Sequence, residues 1–333
     1  LQLLAQNPEI EVTAFYLKIW LEEELSFLGD CPWEEDLHYA QNICKKLGIS
    51  LKIVPLQTEY RENIVEFALN ELRAGHTPSP DIFCNQRIKF GAFLDRLDRS
   101  YKKIASGHYA QIVCRSGKYL LREAPDPVKD QTYFLSNLNQ QQLARLVFPI
   151  GHLKKHQVRS IAEQHDIPAK ARPDSQGICF LGKIKYREFV ASHLGEQSGD
   201  IVEAETGRII GRHRGHWFHT IGQRQGLGLS GGPWYVVKKS PEENQIFVTH
   251  STLLRTHKRD SFTLRSLHWI SEKPQTTTLK VKVRHGPEKT SCKLSIDGDK
   301  ALVNINESDN GIASGQHAVF YNEDVCLGGG VIE

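Results

Sequence analysis

The sequence predicts an α/β domain built on a doubly wound parallel sheet, followed by two regions made mainly of short strands. Three observations carry that expectation. Strand-like and helix-like segments alternate up to about residue 110; the stretch from about 196 is rich in glycine; and from about 256 strands recur at even spacing between turn residues. The boundaries expected from these shifts are 1–195, 196–255 and 256–333.

In chain order, LQLLAQ reads as the tail of a helix stopped by Asn7-Pro8. EVTAFYLKI (11–19) is β-branched and aromatic, as a buried strand should be. In WEEDLHYAQNICKKLG the apolar residues Leu37, Ala40, Ile43 and Leu47 recur at helical spacing. Acids open that segment, Lys45 and Lys46 close it, and Gly48 follows. SLKIVPL (50–56) is the next strand, and YRENIVEFALNELRAG (60–75) a helix closed by Gly75. Phe90, Phe93, Leu94 and Leu97 form the stripe of a helix starting near Asn85, and KKIASGHYA (102–110) is a strand ending at Gly107. Ligands of such sheets bind beyond the carboxyl ends of the strands, which is where Leu17 to Trp20 and Ser106-Gly107-His108 fall.

IVCRSGKYLLREA (112–124) reads as a hairpin with a Ser-Gly turn, and helices are expected near 138–147 and 154–165. Beyond 256, FTLRSLHWI, TLKVKVRHG, SCKLSIDG, KALVNIN, HAVFYN and VCLGGGVIE alternate with turns, giving an all-β barrel or sandwich.

With 333 residues, 39% of them apolar, the chain can bury a core in each of two or three domains. A formal charge of +3 is compatible with a polyanionic partner but does not require one. No stretch approaches the ~20 apolar residues of a membrane span, and the N-terminus lacks a signal-peptide pattern. Seven cysteines without small-scaffold spacing argue against a secreted disulfide framework and for a reducing compartment. With no C-x2-C pair, no zinc or other metal site is expected. The chain has no methionine and starts at Leu1, so residues upstream are expected.

Two cysteines stand out. In TPSPDIFCNQRIKF (77–90), Asn85 is a good N-cap and would put the Cys84 thiol beside the positive end of a helix, near Arg87 and Lys89. That setting lowers a thiol pKa. Pro78 and Pro80 stiffen the loop, and Asp81 can orient a base or a substrate; the plainer reading makes Cys84 a small apolar filler. In SQGICFLG (175–182), Gly177 and Gly182 permit close backbone approach to Cys179, although Ile178, Phe180 and Leu181 equally suit a core strand. As a pair the two thiols suit a nucleophile and sulfur carrier, or a redox dithiol; the other five cysteines read as structural. VKDQTYFLS (128–136) groups Lys129, Asp130 and Gln131 either as a polar turn or as contacts to phosphate and sugar. HLKKHQVR is a basic helix face, and GRHRGHWFHTIGQRQG mixes Arg and His with Trp217 and Phe218, types that grip phosphates and stack bases.

TPSPDIFCNQRIKFGAF, SGHYA, VKDQTYFLS, FPIG, DSQGICFLG, GRHRGHWFHTIGQRQGLGL, WYVV, KVRHG and GQHAVFYNEDVCLGGGVI together resemble, in order, the tRNA-specific 2-thiouridylases. LKIW followed by CPWEEDL, and GGPWYVV, resemble the branch found in chloroplasts. The resemblance implies an ATP-pyrophosphatase domain, a small central tRNA-binding domain and a C-terminal β-barrel. It also implies an enzyme that adenylates a wobble uridine with ATP and Mg2+, then thiolates C2. The sulfur would come from a persulfide carrier or cysteine desulfurase, and the compartment would be the bacterial cytoplasm or the plastid stroma.

Carried over residue by residue, Cys179 bears the persulfide, and Cys84 releases its sulfur by forming a disulfide with Cys179 or by completing the thiolation. Ser79, Pro80 and Asp81 meet the target base, with Asp81 as the acid–base residue, and Leu17 and Gly107 line the ATP pocket. His108, Lys129, Asp130, Gln131, Arg284, His285 and Gln316 contact tRNA.

Three departures accompany the resemblance. The family's S-G-G-x-D-S-S loop is not in the sequence, Ser79 stands for the usual Asn, and Pro173 stands for the usual Lys. The missing loop leaves a second reading open, that of a non-catalytic tRNA-binding protein or inactive fragment. A different ATP-pyrophosphatase, such as an amide-forming ligase, gives no reason for two cysteines.

Overall fold

The computed structural model describes residues 1–19, 32–172 and 186–333. Cys31, Pro173 and Cys179 lie outside the described residues, so the role expected of Cys179 is not addressed by the structure. The chain forms two compact units, one of Leu1–Val65, Pro80–Phe189 and Asp324–Cys326, the other of Glu66–Ser79, Val190–Glu323 and Leu327–Glu333.

In the first unit, strand Ala14–Lys18 pairs in parallel with Leu51–Pro55, setting Leu17 opposite Val54. Helix Pro32–Leu47 carries Glu34 and Glu35 in its first turn and Lys45 and Lys46 in its last, matching the peptide dipoles. Gly48, at φ 65, takes the left-handed conformation that ends it. A second parallel pair joins Ile104–Ala105 to Leu146–Val147. Here expectation and structure differ: the helix predicted over 138–147 covers only Gln140–Arg145, and Leu146 turns extended at φ −101, ψ 151. The LVF run beyond Arg145 is apolar, and Leu146 is buried, so sheet pairing overrides the helical period. The hairpin Ala110–Arg115/Lys118–Glu123 turns through Ser116 and Gly117, both at positive φ, the two-residue connection whose twist suits a hairpin.

The second unit holds helix Glu66–Arg73 and two β assemblies. Four strands run Ile209–His213, Gly199–Glu203, Gln245–His250, Trp234–Ser240 across one sheet, around Ile201, Leu227, Val236, Ile246 and Val248. The C-terminal strands close on themselves. Arg259–Trp269 pairs with Lys300–Asp309 on one side and with Val325–Ile332 on the other, which settles barrel over sandwich. The barrel has six strands, and alternate residues such as Leu264, Leu279, Val281, Val303 and Phe320 fill its interior. Among the described residues, no helix is long and apolar enough to cross a membrane.

Candidate active site

The helical run that carries Cys84 begins at Pro80. Pro80–Phe83 is helical, Phe83 keeps right-handed torsions of φ −71, ψ −33, and Cys84–Ala92 continues as a π-helical stretch before Phe93–Arg96. Proline suits a first helical position because its missing N–H has no partner there, and Asp81 meets the positive end of the dipoles. The helix expected to start near Asn85 therefore starts at Pro80, and Asn85 is not its cap. Ser79-Pro80-Asp81 is itself a start signal. Cys84 consequently stands a turn inside the helix, where the terminal field has largely faded. Its side chain is buried, 1% exposed. Arg87 is occupied elsewhere, with its guanidinium 4.4 Å from the Phe83 ring and Nη1 donating to Asn63 O at 3.2 Å.

What holds this helix is a set of side-chain amides. Asn85, 3% exposed, donates from Nδ2 to Phe134 O at 3.1 Å. Gln142 donates from Nε2 to both Gln86 O and Phe90 O, at 2.9 and 2.7 Å, while its Oε1 accepts from Asn139 N. One side chain thus closes the capping box of Gln140–Arg145 and satisfies two carbonyls of the π-helical stretch. Gly91 belongs to the same geometry, since a Cβ there would lie 2.8 Å from Gln86 O. π-Helical insertions concentrate at functional sites, where they re-aim side chains.

His108 packs against that helix. The His108 ring lies 5.6 Å from both Phe90 and Phe148, and its Nδ1 is 2.7 Å from Ser106 Oγ. Burial, then the Lys89 charge, pushes the imidazole pKa down to about 3, so it stands here as a neutral ring. Gly107, exposed and two residues past Ile104–Ala105, leaves room beside its backbone, with only Ile150 Cδ1 within 4 Å of a would-be Cβ, at 3.9 Å. That opening beyond a parallel strand, with half-buried Leu17 near the end of the other pair, fits the approach of a nucleotide.

Asp130 and Gln131 face inward. Asp130 is 2% exposed; Oδ1 accepts from Ala124 N at 3.1 Å and Oδ2 from Thr132 Oγ1 at 2.7 Å. Gln131 clasps Tyr109, donating from its N–H to Tyr109 O and accepting from Tyr109 N at Oε1, both at 2.9 Å. These two side chains fasten the turn to the segment that follows His108, and half-buried Lys129 stands next to them.

The structure therefore brings Pro80, Asp81, Cys84, Gly107, His108 and Lys129–Gln131 into the first unit with Leu17, while Ser79, Arg284, His285 and Gln316 belong to the second. On the barrel, Arg284 donates to Asp309 through both terminal nitrogens, one bond at 3.0 Å, and His285 beside it is exposed. Burial alone would raise the Asp309 carboxyl, but the bonds from Arg284 and Gly311 outweigh it and hold the pKa low. Gln316 leads into strand His317–Asn322, its carbonyl accepting from Ile332 N at 2.8 Å. The sequence reading passed over Asn85 as a tie and Gln142 altogether. The pattern Asn139-x-x-Gln142 was the available signal.

Three family descriptions cover the chain end to end: tRNA methyl transferase HUP domain over residues 1–183, tRNA methyl transferase PRC-barrel domain over 187–250, and aminomethyltransferase beta-barrel domain over 259–332. The tRNA-specific 2-thiouridylase MnmA 1 of Bacteroides thetaiotaomicron is 45% identical across 96% of this chain and 92% of its own length. This chain belongs to the tRNA-specific 2-thiouridylase family. The 2-thiouridylase MnmA of Parabacteroides distasonis is 43% identical and that of Porphyromonas gingivalis 44%, each over 96% of this chain and 91% of the relative. All three 2-thiouridylases are bacterial, whereas LKIW and GGPWYVV pointed to the chloroplast branch.

Proposed function

We propose that this protein is an ATP-dependent tRNA-uridine 2-sulfurtransferase that converts the wobble uridine to 2-thiouridine. The observation that carries the reading is the near-complete match to tRNA-specific 2-thiouridylases, 45% identical over 96% of the chain. The parts would be 1–195 for catalysis, 196–255 as a tRNA-binding module and 256–333 as the barrel. Leu17 and Gly107 would hold the nucleotide with its Mg2+, and ATP supplies an adenylyl group that turns uridine O2 into a leaving group.

The chain's own residues then manage sulfur and protons. The Cys84 thiolate attacks Sγ of a persulfide on Cys179; the S–S bond breaks, hydrosulfide leaves, and a Cys84–Cys179 disulfide forms. Hydrosulfide adds at C2 as the adenylated oxygen departs, and a small thiol then returns the disulfide to two thiols. Asp81, in the first helical turn, would take the N3 proton or return it, and Ser79 and Pro80 would flank the base. Lys129, Arg284, His285 and Gln316 would meet the tRNA directly, and neutral His108 would contribute a hydrogen bond rather than a charge. Asp130 and Gln131, whose side chains are bonded inward, would act by fixing the turn that presents Lys129. A persulfide-carrying protein or cysteine desulfurase would reload Cys179, in the bacterial cytoplasm.

The test uses the protein at its natural length with ATP, Mg2+, a tRNA transcript and a persulfide donor, and reads retardation of the product tRNA in an organomercury gel. Retardation with the wild type, lost by roughly a thousand-fold or more in Cys84→Ser and Cys179→Ser, is expected. If the wild type binds tRNA tightly yet no retarded species forms, the catalytic reading fails and a tRNA-binding role replaces it.

A further inference from the structure

In the four-stranded domain a cavity of about 200 Å3 opens between Arg224, the glycine-rich backbone Gly226–Gly232 and Trp234. None of these residues belongs to the sulfur-transfer site. The segment that forms the cavity is held at its neck, where Gly222 N donates to Val236 O at 2.8 Å and Val236 N to Gln223 O at 3.0 Å. Its middle is pinned by Leu227, 7% exposed, and by Leu229, both packed into the core of the sheet. Leu229 seats closely: a Cβ on Gly211 would fall 2.6 Å from its Cδ2. Gly226 and Gly228, on either side of Leu227, are glycines because they sit at φ 77 and 68, where side chains are strained. Glycine backbone, the two leucines and Pro233 thus form the wall of the cavity.

Two side chains complete it. Trp234 donates from Nε1 to Ser230 O at 3.0 Å and meets His250 edge-on at 5.4 Å, so the indole is fixed before any ligand arrives. Arg224 is exposed and forms no ion pair or hydrogen bond with any described residue. The volume is below the ~300 Å3 where small-molecule pockets usually begin, so it takes part of a larger ligand rather than a whole cofactor.

We propose that this cavity receives an unpaired nucleotide of the tRNA, its base stacked on Trp234 and its phosphate held by Arg224. A fixed aromatic face beside an uncompensated guanidinium is the pairing that recognises a nucleotide. The assignment rests on the reading of tRNA as substrate, and it predicts a contact outside the residues carried over from the family motifs.

Filter binding of a tRNA transcript tests it, with no ATP or persulfide, so that thiolation does not enter. Trp234→Leu is expected to raise Kd about ten-fold, within the range for one stacked base. Arg224→Ala is expected to lower the slope of log Kd against log salt by about one. Arg208→Ala, an exposed residue 3.6 Å from Glu203 in the same domain, serves as the charge control and should leave Kd within about two-fold. Binding within two-fold of wild type for both Trp234→Leu and Arg224→Ala overturns the inference, as does an equal loss in Arg208→Ala. Should Trp234→Leu fail to fold, Arg224→Ala, an exposed change, decides alone. If millimolar AMP binds the wild type but not Trp234→Leu, and leaves tRNA binding unchanged, the cavity takes a free nucleotide and the assignment to tRNA falls. Should thiolation never be observed while both effects persist, the catalytic reading fails and the RNA site stands.

Discussion

The residues picked out in the two units are held in different ways. Around Cys84 the work falls to buried polar side chains. Asn85, Asp130, Gln131 and Gln142 each bond to main chain, and the helix, the hairpin and the turn after it are joined through them. In the second unit the barrel and the four-stranded sheet are held by apolar interiors, and their charged residues, Arg224 and Arg284, stand at loops. A buried hydrogen bond fixes direction as well as distance, which suits a thiol that must meet one atom. An apolar core is indifferent to what the loops carry, which suits a surface that grips a backbone. Deleting one of those polar side chains should therefore be costly, and so should adding a Cβ where main chain lies close, as at Gly329 in the second unit and Gly151 in the first.

The largest expected effect tests shape. At Gly329 in the barrel a Cβ would lie 2.0 Å from Ala318 O, main chain that no side-chain rotation can move. Gly329→Ala should cost at least about 3 kcal/mol, whereas Gly107→Ala, with its nearest contact at 3.9 Å, should stay within about 0.5 kcal/mol. Urea unfolding of both variants checks this, and equal midpoints would erase the contrast.

The next effect tests polarity. Asp130→Ala removes the acceptor of the Ala124 N–H and of the Thr132 hydroxyl in a buried place, and should cost about 2 kcal/mol. An Asp309→Ala change on the barrel, losing a partly exposed ion pair with Arg284 and the bond from Gly311 N, should cost about 1 kcal/mol. If the order is reversed, buried hydrogen bonding is not what distinguishes the units.

A third prediction concerns position as well as stability. Gln142→Leu keeps the volume but removes the donor shared by Gln86 O and Phe90 O, at a cost of about 1.5 kcal/mol. Because Cys84 reacts only when its helix opens, the same change should raise its alkylation rate by iodoacetamide about ten-fold, with Cys292 unchanged. A rate rise common to both thiols would mean global loosening, not a local effect on the Cys84 helix.

How legible this was in advance depended on whether the signal was local. The barrel strands could be read because each alternates core and solvent residues on its own, as in KALVNIN with Ala301, Val303 and Ile305 inward. The Ser116-Gly117 turn was local too. The inward face of Asp130 was not, since a carboxylate in a polar turn points wherever its partners are, and the decisive one is an N–H at Ala124. The start of the Cys84 helix was misread because Asn85 is a good cap by type, while Pro80 supplied the stronger signal.

The smallest expected effect contrasts two histidines kept neutral by burial. In the second unit His216 has its pKa pushed down to about 4 by burial, then by Lys239 and His213, against an opposing pull from Glu242. In the first, His108 lies near 3. Both take up a proton near 6.5 when unfolded, so below that pH the unfolded chain binds more protons and stability is lost as the pH drops. Above 6.5 neither contributes a slope. At pH 5.5 the loss from His216 should be roughly 1 kcal/mol, and His216→Asn should remove it. Below about pH 4 folded His216 protonates as well and its slope ends, while His108 goes on destabilising the first unit down to about 3. Hydrogen exchange followed at Leu135 and at Val248 in the wild type and in His216→Asn would show this, with the decline between pH 6 and 4 smaller at Val248 in the substituted protein and unchanged at Leu135. An equal change at both positions would mean that the two histidines do not act on separate units.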